Sequence, residues 1–313
     1  MTAYVTSNLK MSDKGGIGHV FNDVLTSYII GEMYGLTTLH FPIKTDTFHG
    51  LDDWEEYFKW YVDQPLYSSY KKLQQMYFCE PPDNDGHSYF HYFSKCELDK
   101  IFDDPVDNAV YHATRSNRVL LTDVYVWESN KQLPTGTYSK LINTFKGKYR
   151  KIHPYQKHTD VTLITVHIRR GDQYCKGQEK YARYVLEYLQ DNLTRPAEVR
   201  IFTNGNIIDA QDIAESFKGL KLPIALEMRK STSSFKLIAD ADINIMGRSA
   251  FPKLAGLFSD KIKIYQPGYI GNKELRPKLG LEVEERDSDW VEVDINYDFD
   301  NKRLNALLEQ FDL

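Results

Sequence analysis

The stretch that decides the fold is residues 161–172, which read VTLITVHIRRGD. Its first eight residues, as far as Ile168, are mostly apolar or β-branched, which is typical of a buried strand. Two adjacent arginines follow at once, and then Gly171, which permits a tight turn. Ligands of open α/β sheets bind at the carboxyl ends of the strands. Because guanidinium groups match phosphate oxygens and keep their charge, the pattern predicts an anion clamp at that edge.

Two more side chains of this stretch belong to the same prediction. His167 lies two residues before Arg169, and on a strand such residues point to the same face. Asp172 can accept bonds from nearby N–H groups or hold one arginine. Two alternatives are a solvated surface turn and, for Arg170, Gly171 and Asp172, an integrin adhesion tripeptide. The apolar strand favours a cleft over the turn, and the cytosolic features described below argue against adhesion.

Strand and helix patterns alternate after this stretch. KYARYVLEYLQDNL (residues 180–193) has the apolar spacing of a helix, and EVRIFTNG (residues 198–205) that of a strand. The alternation continues to a C-terminal helix that Asp300 is expected to cap. Strands that alternate with helices predict a parallel sheet.

A second run of strand, glycine loop, helix and strand occupies the N-terminal part. AYVT (residues 3–6) and LTTLHFPI (residues 36–43) read as strands on either side of an amphipathic helix, which is a βαβ start. Residues 153–160 are polar and lack periodicity. We therefore expect a boundary there, between a domain of residues 1–155 and one of residues 156–313.

The composition indicates a soluble globular protein. Of 313 residues, 42% are hydrophobic and 27% charged, and the net charge of -5 gives no general affinity for nucleic acid or an anionic membrane. Three cysteines in no metal-binding spacing indicate reduced thiols. The N-terminal residues lack the pattern of a signal peptide, and no apolar run reaches the length of a membrane span. These features predict a cytoplasmic protein without a membrane span.

The six residues His167 to Asp172 resemble the H-x-R-R-G-D motif of the α1,2/α1,6-fucosyltransferases, a superfamily that includes the protein O-fucosyltransferases. Three further stretches resemble family segments in the same order. They are KGGIGHVF (residues 14–21), RIFTNG (residues 200–205) and FKLIADADINIMGRSAFPKLAGL (residues 235–257). The α1,2-fucosyltransferases are the nearest group.

The resemblance implies an α/β protein with two Rossmann-like domains, similar to GT-B glycosyltransferases. It implies inverting transfer of L-fucose from GDP-fucose to a hydroxyl of a glycan acceptor, with an α1,2 linkage and no metal or other cofactor. Residues 1–155 would carry the glycine motif on the acceptor side, and residues 156–313 would bind the GDP-sugar. The alternatives are a transferase of the same fold with another GDP-sugar or a protein acceptor, and a non-catalytic protein that binds nucleotide or glycan.

Roles carry over from the family motif residue by residue. Arg169 would grip the β-phosphate of GDP, Arg170 would support the motif or face the acceptor, and His167 would lie beside the nucleotide. The remaining positions that would contact the donor are Gly16, Gly18, His19, Thr203, Asn204, Asp242, Ser249, Ala250 and Phe251. We expect Arg169 to be catalytic, because a fixed cation stabilises the charge that develops on departing GDP.

Three features leave the chemistry open. The base that takes the acceptor proton could be Asp172, Glu179 or His19, and Glu179 could instead be a solvated acid at a helix start. His19 replaces the asparagine that is usual in the glycine motif of the family. Ser234, or Ser233 beside it, occupies the place of an acid that reads guanine in the family, for which Asp240 and Asp242 could compensate. The sequence Asp-Ala-Asp ending at Asp242 could also bind a metal, although acids at that place more often cap or pair locally.

Overall fold

A computed structural model describes most of the helices and strands expected from the sequence. The described residues are 4–7, 16–40, 54–59, 65, 75–78, 115, 119–122, 137–156, 160–170, 177–228, 230–247, 249–266, 289–294 and 296–313. They fall into two compact units, with the division between Ile152 and His153.

The first unit contains a parallel sheet with strand order β2-β1-β4-β3. Its elements are β1 (Tyr4–Ser7), α1 (Ile17–Tyr34), β2 (Thr37–Thr38), α2 (Trp54–Phe58), β3 (Gln75–Phe78), β4 (Val119–Thr122) and α3 (Thr137–Ile152). The βαβ start is confirmed, since β1 and β2 pair in parallel on either side of α1 in the sequence.

Helix α1 packs through the apolar face that the sequence predicts. Phe21, Val24 and Ile29 are buried on it. Phe145 of α3 meets Phe21 edge-on, with ring centroids 5.6 Å apart, and an apolar contact of this kind fixes one helix against the other. Gly35 ends the helix at a φ of 63°, a left-handed conformation that glycine adopts without steric cost.

The second unit contains six parallel strands in the order β10-β9-β8-β5-β6-β7. Its elements are β5 (Thr162–Ile168), α4 (Gln178–Asn192), β6 (Ala197–Thr203), α5 (Ile207–Ser216), β7 (Ile224–Glu227), α6 (Ser231–Asp240), β8 (Ile243–Met246), α7 (Ala250–Leu257), β9 (Ile262–Tyr265), β10 (Trp290–Glu292) and α8 (Asn301–Phe311). Numbered from β5, this is the order 3-2-1-4-5-6 of doubly wound sheets, whose ligands bind where the order reverses. In this sheet the reversal lies between β5 and β8.

Strand β5 is the centre of the second unit, as the apolar stretch predicts. All seven of its residues are buried, and it pairs with β6 on one side and with β8 on the other. Its apolar side chains join a core with Val185 and Leu189 of α4 and Leu304 and Leu308 of α8. Burial of each such side chain stabilises the fold by roughly 1.5–3 kcal/mol, so the end of β5 is a rigid support. The Asp300 cap of α8 is confirmed, because its carboxylate accepts a bond from Arg303 N at 3.0 Å.

Several elements depart from the prediction. The short strands β3, β7 and β10 were not predicted, since three or four residues are too few to display a period. Residues 52–67 are rich in aromatic side chains and read as a helix in the sequence, and the structure describes Trp54–Phe58 of them as helical. Residues 89–102, another aromatic stretch that reads as a helix in the sequence, lie outside the described residues. None of the helices in the described ranges has the length and apolar content needed to cross a membrane.

Candidate functional site

Three helices of the second unit begin where strands β5, β6 and β8 end. Helix α4 follows Gly177, α5 follows Asn206, and α7 follows Ser249. Helix N-termini carry a partial positive charge and favour anions. Asn206 caps α5, since its Oδ1 accepts bonds from the N–H groups of Ile208 and Asp209 at 2.9 and 3.0 Å. The carboxyl edge of the sheet is therefore electropositive before any side chain is counted.

Arg170 is fixed at this edge by side chains from three elements. Its guanidinium Nη2 forms an ion pair with Glu179 in the first turn of α4, and its Nε lies 3.9 Å from Asp209 Oδ1 in α5. Its main-chain N–H donates to Asn204 Oδ1 at 2.8 Å. Only 8% of the residue is exposed, so the arginine pair is not a solvated surface turn.

Arg169 is held through its main chain. Its N–H donates to Gln178 Oε1 at 3.4 Å, and its carbonyl accepts from Gln178 Nε2 at 3.3 Å, a long but reciprocal pair of bonds. Gln178 is 2% exposed and is the first residue of α4. The two arginines are thus fixed in different ways, Arg170 by carboxylates on its guanidinium and Arg169 by an amide on its backbone.

His167 lies beside the arginines in a buried position. Burial, and after it the positive charge of Arg169, lowers the pKa of His167 from 6.5 to about 4. Its ring centroid is 5.8 Å from that of Phe251 in α7. Its Nδ1 is buried and has no hydrogen-bond partner among the described residues. At neutral pH the imidazole is therefore uncharged, and it can act as a hydrogen-bond partner but not as a cation.

Two glycines allow these groups to approach one another, and the sequence did not single out either of them. A Cβ on Gly205 would lie 2.7 Å from Arg170 Cβ and 2.6 Å from Asp209 Oδ2. A Cβ on Gly247 would lie 2.2 Å from Gln178 Oε1 and 2.6 Å from the carbonyl oxygen of His167. Glycines directly after strands were a signal for such close approach.

The structure brings most of the predicted residues to this one edge. They are Glu179, His167, Arg169, Arg170, Thr203, Asn204, Ser249, Ala250 and Phe251. Thr203 Oγ1 accepts a bond from Gly205 N at 3.1 Å, so Thr203 and Asn204 shape the loop that supports Arg170. Glu179 is paired with Arg170 and mostly buried, so its carboxylate helps to hold that arginine at the edge. Besides the two glycines, Gln178 and Asp209 are residues of the site that the sequence analysis missed.

Asp242 is not brought to the arginines, contrary to expectation. It immediately precedes β8, and its Oδ2 accepts a bond from Leu163 N at 3.0 Å near the start of β5. Because β5 and β8 are parallel, a residue before β8 lies at the amino edge of the sheet, opposite the residues that follow β5. Asp240 pairs with Lys236, four residues earlier in α6. Within the described ranges no cluster of three His, Cys, Asp or Glu side chains could hold a metal ion.

The other predicted positions lie elsewhere in the chain. Gly16 precedes α1 as its N-cap and Gly18 is buried in the first turn, both in the first unit. The side chain of His19 and all of Asp172 lie outside the described residues. Ser234 Oγ donates to the carbonyl of Lys230 at 3.2 Å in the first turn of α6.

Comparisons with known proteins give structural similarities only. No protein family profile and no curated protein sequence matches the chain. The solved structure of fucosyltransferase NodZ from Bradyrhizobium shares 12% identity over 83% of this chain and 93% of that one, with a TM-score of 0.42. The structure of NodZ α-1,6-fucosyltransferase co-crystallised with GDP shares 12% identity over 83% of this chain and 93% of that one, with a TM-score of 0.40. The structure of POFUT1 in complex with GDP-fucose shares 10% identity over 84% of this chain and 97% of that one, with a TM-score of 0.47. At these values we base the function on the residues of the sheet edge.

Proposed function

We propose that the chain is an inverting, metal-independent fucosyltransferase that moves L-fucose from GDP-fucose to a hydroxyl of a glycan. The observation that supports this most is the arginine pair, fixed at the point where the strand order of a doubly wound sheet reverses. That point is where such sheets bind nucleotides. The H-x-R-R-G-D pattern of the same residues supports a GDP-fucose donor, and an α1,2 linkage is the finer expectation.

The proposed chemistry rests on charge. Transfer passes through an oxocarbenium-like state while negative charge builds on the departing diphosphate. Arg169 would face the β-phosphate and stabilise that charge in the transition state. Arg170, already paired with Glu179 and close to Asp209, would keep the turn in place instead of carrying the main charge. The neutral His167, with Nδ1 buried and without a partner among the described residues, would hydrogen-bond an uncharged group of the donor.

The proton of the acceptor needs a separate base. Glu179 is less suited to that role, since Arg170 already engages its carboxylate. We therefore assign the base to Asp172 or His19. The architecture that we propose with this mechanism is GT-B-like, with Rossmann-like domains at residues 1–155 and 156–313, the second of which binds the GDP-sugar.

Donor choice can be tested by thermal shift. A ligand that binds the native state raises the melting temperature, so GDP and GDP-fucose should raise it while UDP-sugars leave it unchanged. GDP-mannose serves as the control for the sugar. If UDP-sugars raised the melting temperature and guanine nucleotides did not, the proposal would be wrong. A shift with GDP-mannose equal to that with GDP-fucose would indicate another GDP-sugar.

Turnover separates an enzyme from a binding protein. The Arg169→Ala variant should release GDP from GDP-fucose and a glycan acceptor at least about 10²-fold more slowly, because a preorganised cation would be lost. Arg195→Ala is the matched control, since Arg195 precedes β6 at the opposite edge of the sheet, where its Nη1 donates to the carbonyl of Asp312 at 3.4 Å. It should keep full activity. If the wild type released no GDP with any glycan or protein acceptor tested, the chain would be a non-catalytic binding protein. Loss of activity on addition of EDTA would show that the reaction depends on a metal.

A further inference from the structure

Gln178 is a long polar side chain that is almost completely buried at the carboxyl edge of the second unit's sheet. Such side chains are rarely buried unless their polar atoms are hydrogen-bonded. Its amide bonds in both directions to one residue, since Arg169 N donates to Oε1 at 3.4 Å and Nε2 donates to Arg169 O at 3.3 Å. Reciprocal bonds to the N–H and C=O of one residue are the pattern of a strand partner. The amide of Gln178 therefore pairs with the main chain after β5 as a residue of a neighbouring strand would.

Gly247 confines the amide from the other side. A Cβ at that position would lie 2.2 Å from Gln178 Oε1 and 3.2 Å from its Cδ, so the amide occupies the space that any other residue would fill. Gly247 directly follows β8, which pairs with β5 in parallel. The amide thus sits between the ends of the two strands where the strand order reverses, which is the place where the proposed diphosphate would bind.

We infer that Gln178 is a positioning residue, which orients Arg169 toward the diphosphate by fixing its main chain; this rests on the proposed function. A neutral amide suits the task, because it satisfies the N–H and the C=O of Arg169 without adding negative charge to an anion site. The carboxylates of Glu179 and Asp209 perform the corresponding task for Arg170, where they contact the guanidinium itself. The site therefore contacts Arg170 on its guanidinium and Arg169 on its main chain.

The test compares two glutamines of one helix. Gln178→Met keeps the length of the side chain and removes both hydrogen bonds. Gln190→Met is the matched control, because Gln190 lies near the other end of α4 and its Oε1 also accepts a main-chain bond, from Lys221 N at 3.2 Å. Calorimetric titration with GDP should show about tenfold weaker binding for the Gln178 variant, from the loss of two hydrogen bonds that order the arginine. The Gln190 variant should bind GDP like the wild type.

A double-mutant cycle with Arg169→Ala distinguishes positioning from stability. If Gln178 acts through Arg169, then Gln178→Met should weaken GDP binding about tenfold in the wild-type background and less than about threefold in the Arg169→Ala background. An equal loss in both backgrounds would mean that Gln178 has only a structural role, and the inference would be wrong. A parallel kinetic series should show the loss in kcat/KM with the same coupling.

The outcomes separate this inference from the function on which it rests. Wild-type protein that binds GDP, together with a Gln178→Met variant that binds it equally well, overturns the positioning role and leaves the proposed function standing. Wild-type protein that does not bind GDP overturns both. Should the methionine variant fail to fold, Gln178→Asn replaces it in the cycle, since its amide is one methylene too short to reach both Arg169 atoms. The same coupling to Arg169 is expected.

Discussion

The two edges of the six-stranded sheet carry comparable charges that are arranged differently. At the amino edge, Asp242 bonds Leu163 N, and the buried Lys263 pairs with Asp289 just before β10. At the carboxyl edge, His167 has a buried nitrogen without a partner among the described residues, and Arg169 is held through its backbone. Asp242 and Lys263 at the amino edge thus have partners within the fold, whereas the carboxyl edge combines two arginines with a hydrogen-bonding position at His167 that no described residue fills. The first arrangement serves stability, and the second is what a ligand site requires.

The difference follows from the way parallel strands are connected. Strands β5, β6, β7 and β8 each lead into a helix that begins at the carboxyl edge, so the partial positive charges of the helix N-termini gather there. An acid at the amino edge has no such neighbours and must find its partner in a side chain or a backbone N–H. Substitutions at the amino edge should therefore change mainly the stability of the protein, and substitutions at the carboxyl edge should change mainly nucleotide binding.

The largest effect on stability is expected at the amino edge. Lys263 is fully buried, pairs with Asp289 and donates to the carbonyl of Ser259 at 3.3 Å. Lys263→Met would leave the Asp289 carboxylate without its cation, and breaking one side of a buried pair costs about 3–5 kcal/mol. The melting temperature should fall by about 6–20 °C, while affinity for GDP in the folded protein stays unchanged. Scanning calorimetry and GDP titration measure the two quantities.

Two further variants control that result. Lys261→Met changes a nearby lysine that lies over the Phe311 ring at 4.7 Å, and it should lower the melting temperature much less. Lys263→Met combined with Asp289→Leu should recover most of the loss, because an apolar pair often replaces a buried ion pair at little cost. If Lys263→Met weakened GDP binding about tenfold, the two edges would not be separable.

A smaller effect on stability is expected from pH at the carboxyl edge. The pKa of His167 is lowered to about 4 in the folded protein, while the unfolded chain has the ordinary value near 6.5. As pH falls from 6.5 toward 4, only the unfolded state takes up this proton, so the folded state loses stability. The loss attributable to His167 should reach about 2 kcal/mol between pH 8 and pH 5.

Urea unfolding of wild type and of His167→Gln measures this contribution. The variant should lose about 2 kcal/mol less than the wild type over the same pH range. At pH 8 the histidine is neutral in both states, so the difference between the two proteins there reports packing and hydrogen bonding alone. Parallel pH profiles for the two proteins would show that His167 is not held neutral by the fold.

The sequence predicted the carboxyl edge better than the amino edge, for a physical reason. A buried strand that ends in two arginines is a local pattern, and strand, glycine loop and helix follow one another along the chain, so the positions of Arg169, Arg170 and His167 could be predicted. The roles of Gln178 and Asp209 could not, because their contacts depend on how α4 and α5 return to the end of β5. The resemblance placed Asp242 at the nucleotide, but the direction of β8 decides which edge a residue before it occupies.

The smallest expected effect tests that last point directly. Asp242→Asn retains an oxygen that can accept the bond from Leu163 N, at present 3.0 Å long, so stability should change by less than about 1 kcal/mol. Asp242→Ala removes the acceptor and leaves a buried N–H unpaired, which should cost about 1–3 kcal/mol. Both variants should bind GDP with wild-type affinity and select it over other nucleotides as the wild type does, because the carboxylate lies at the edge away from the arginines. Weaker binding of GDP to Asp242→Asn, with stability unchanged, would return Asp242 to the nucleotide site and contradict the separation of the two edges.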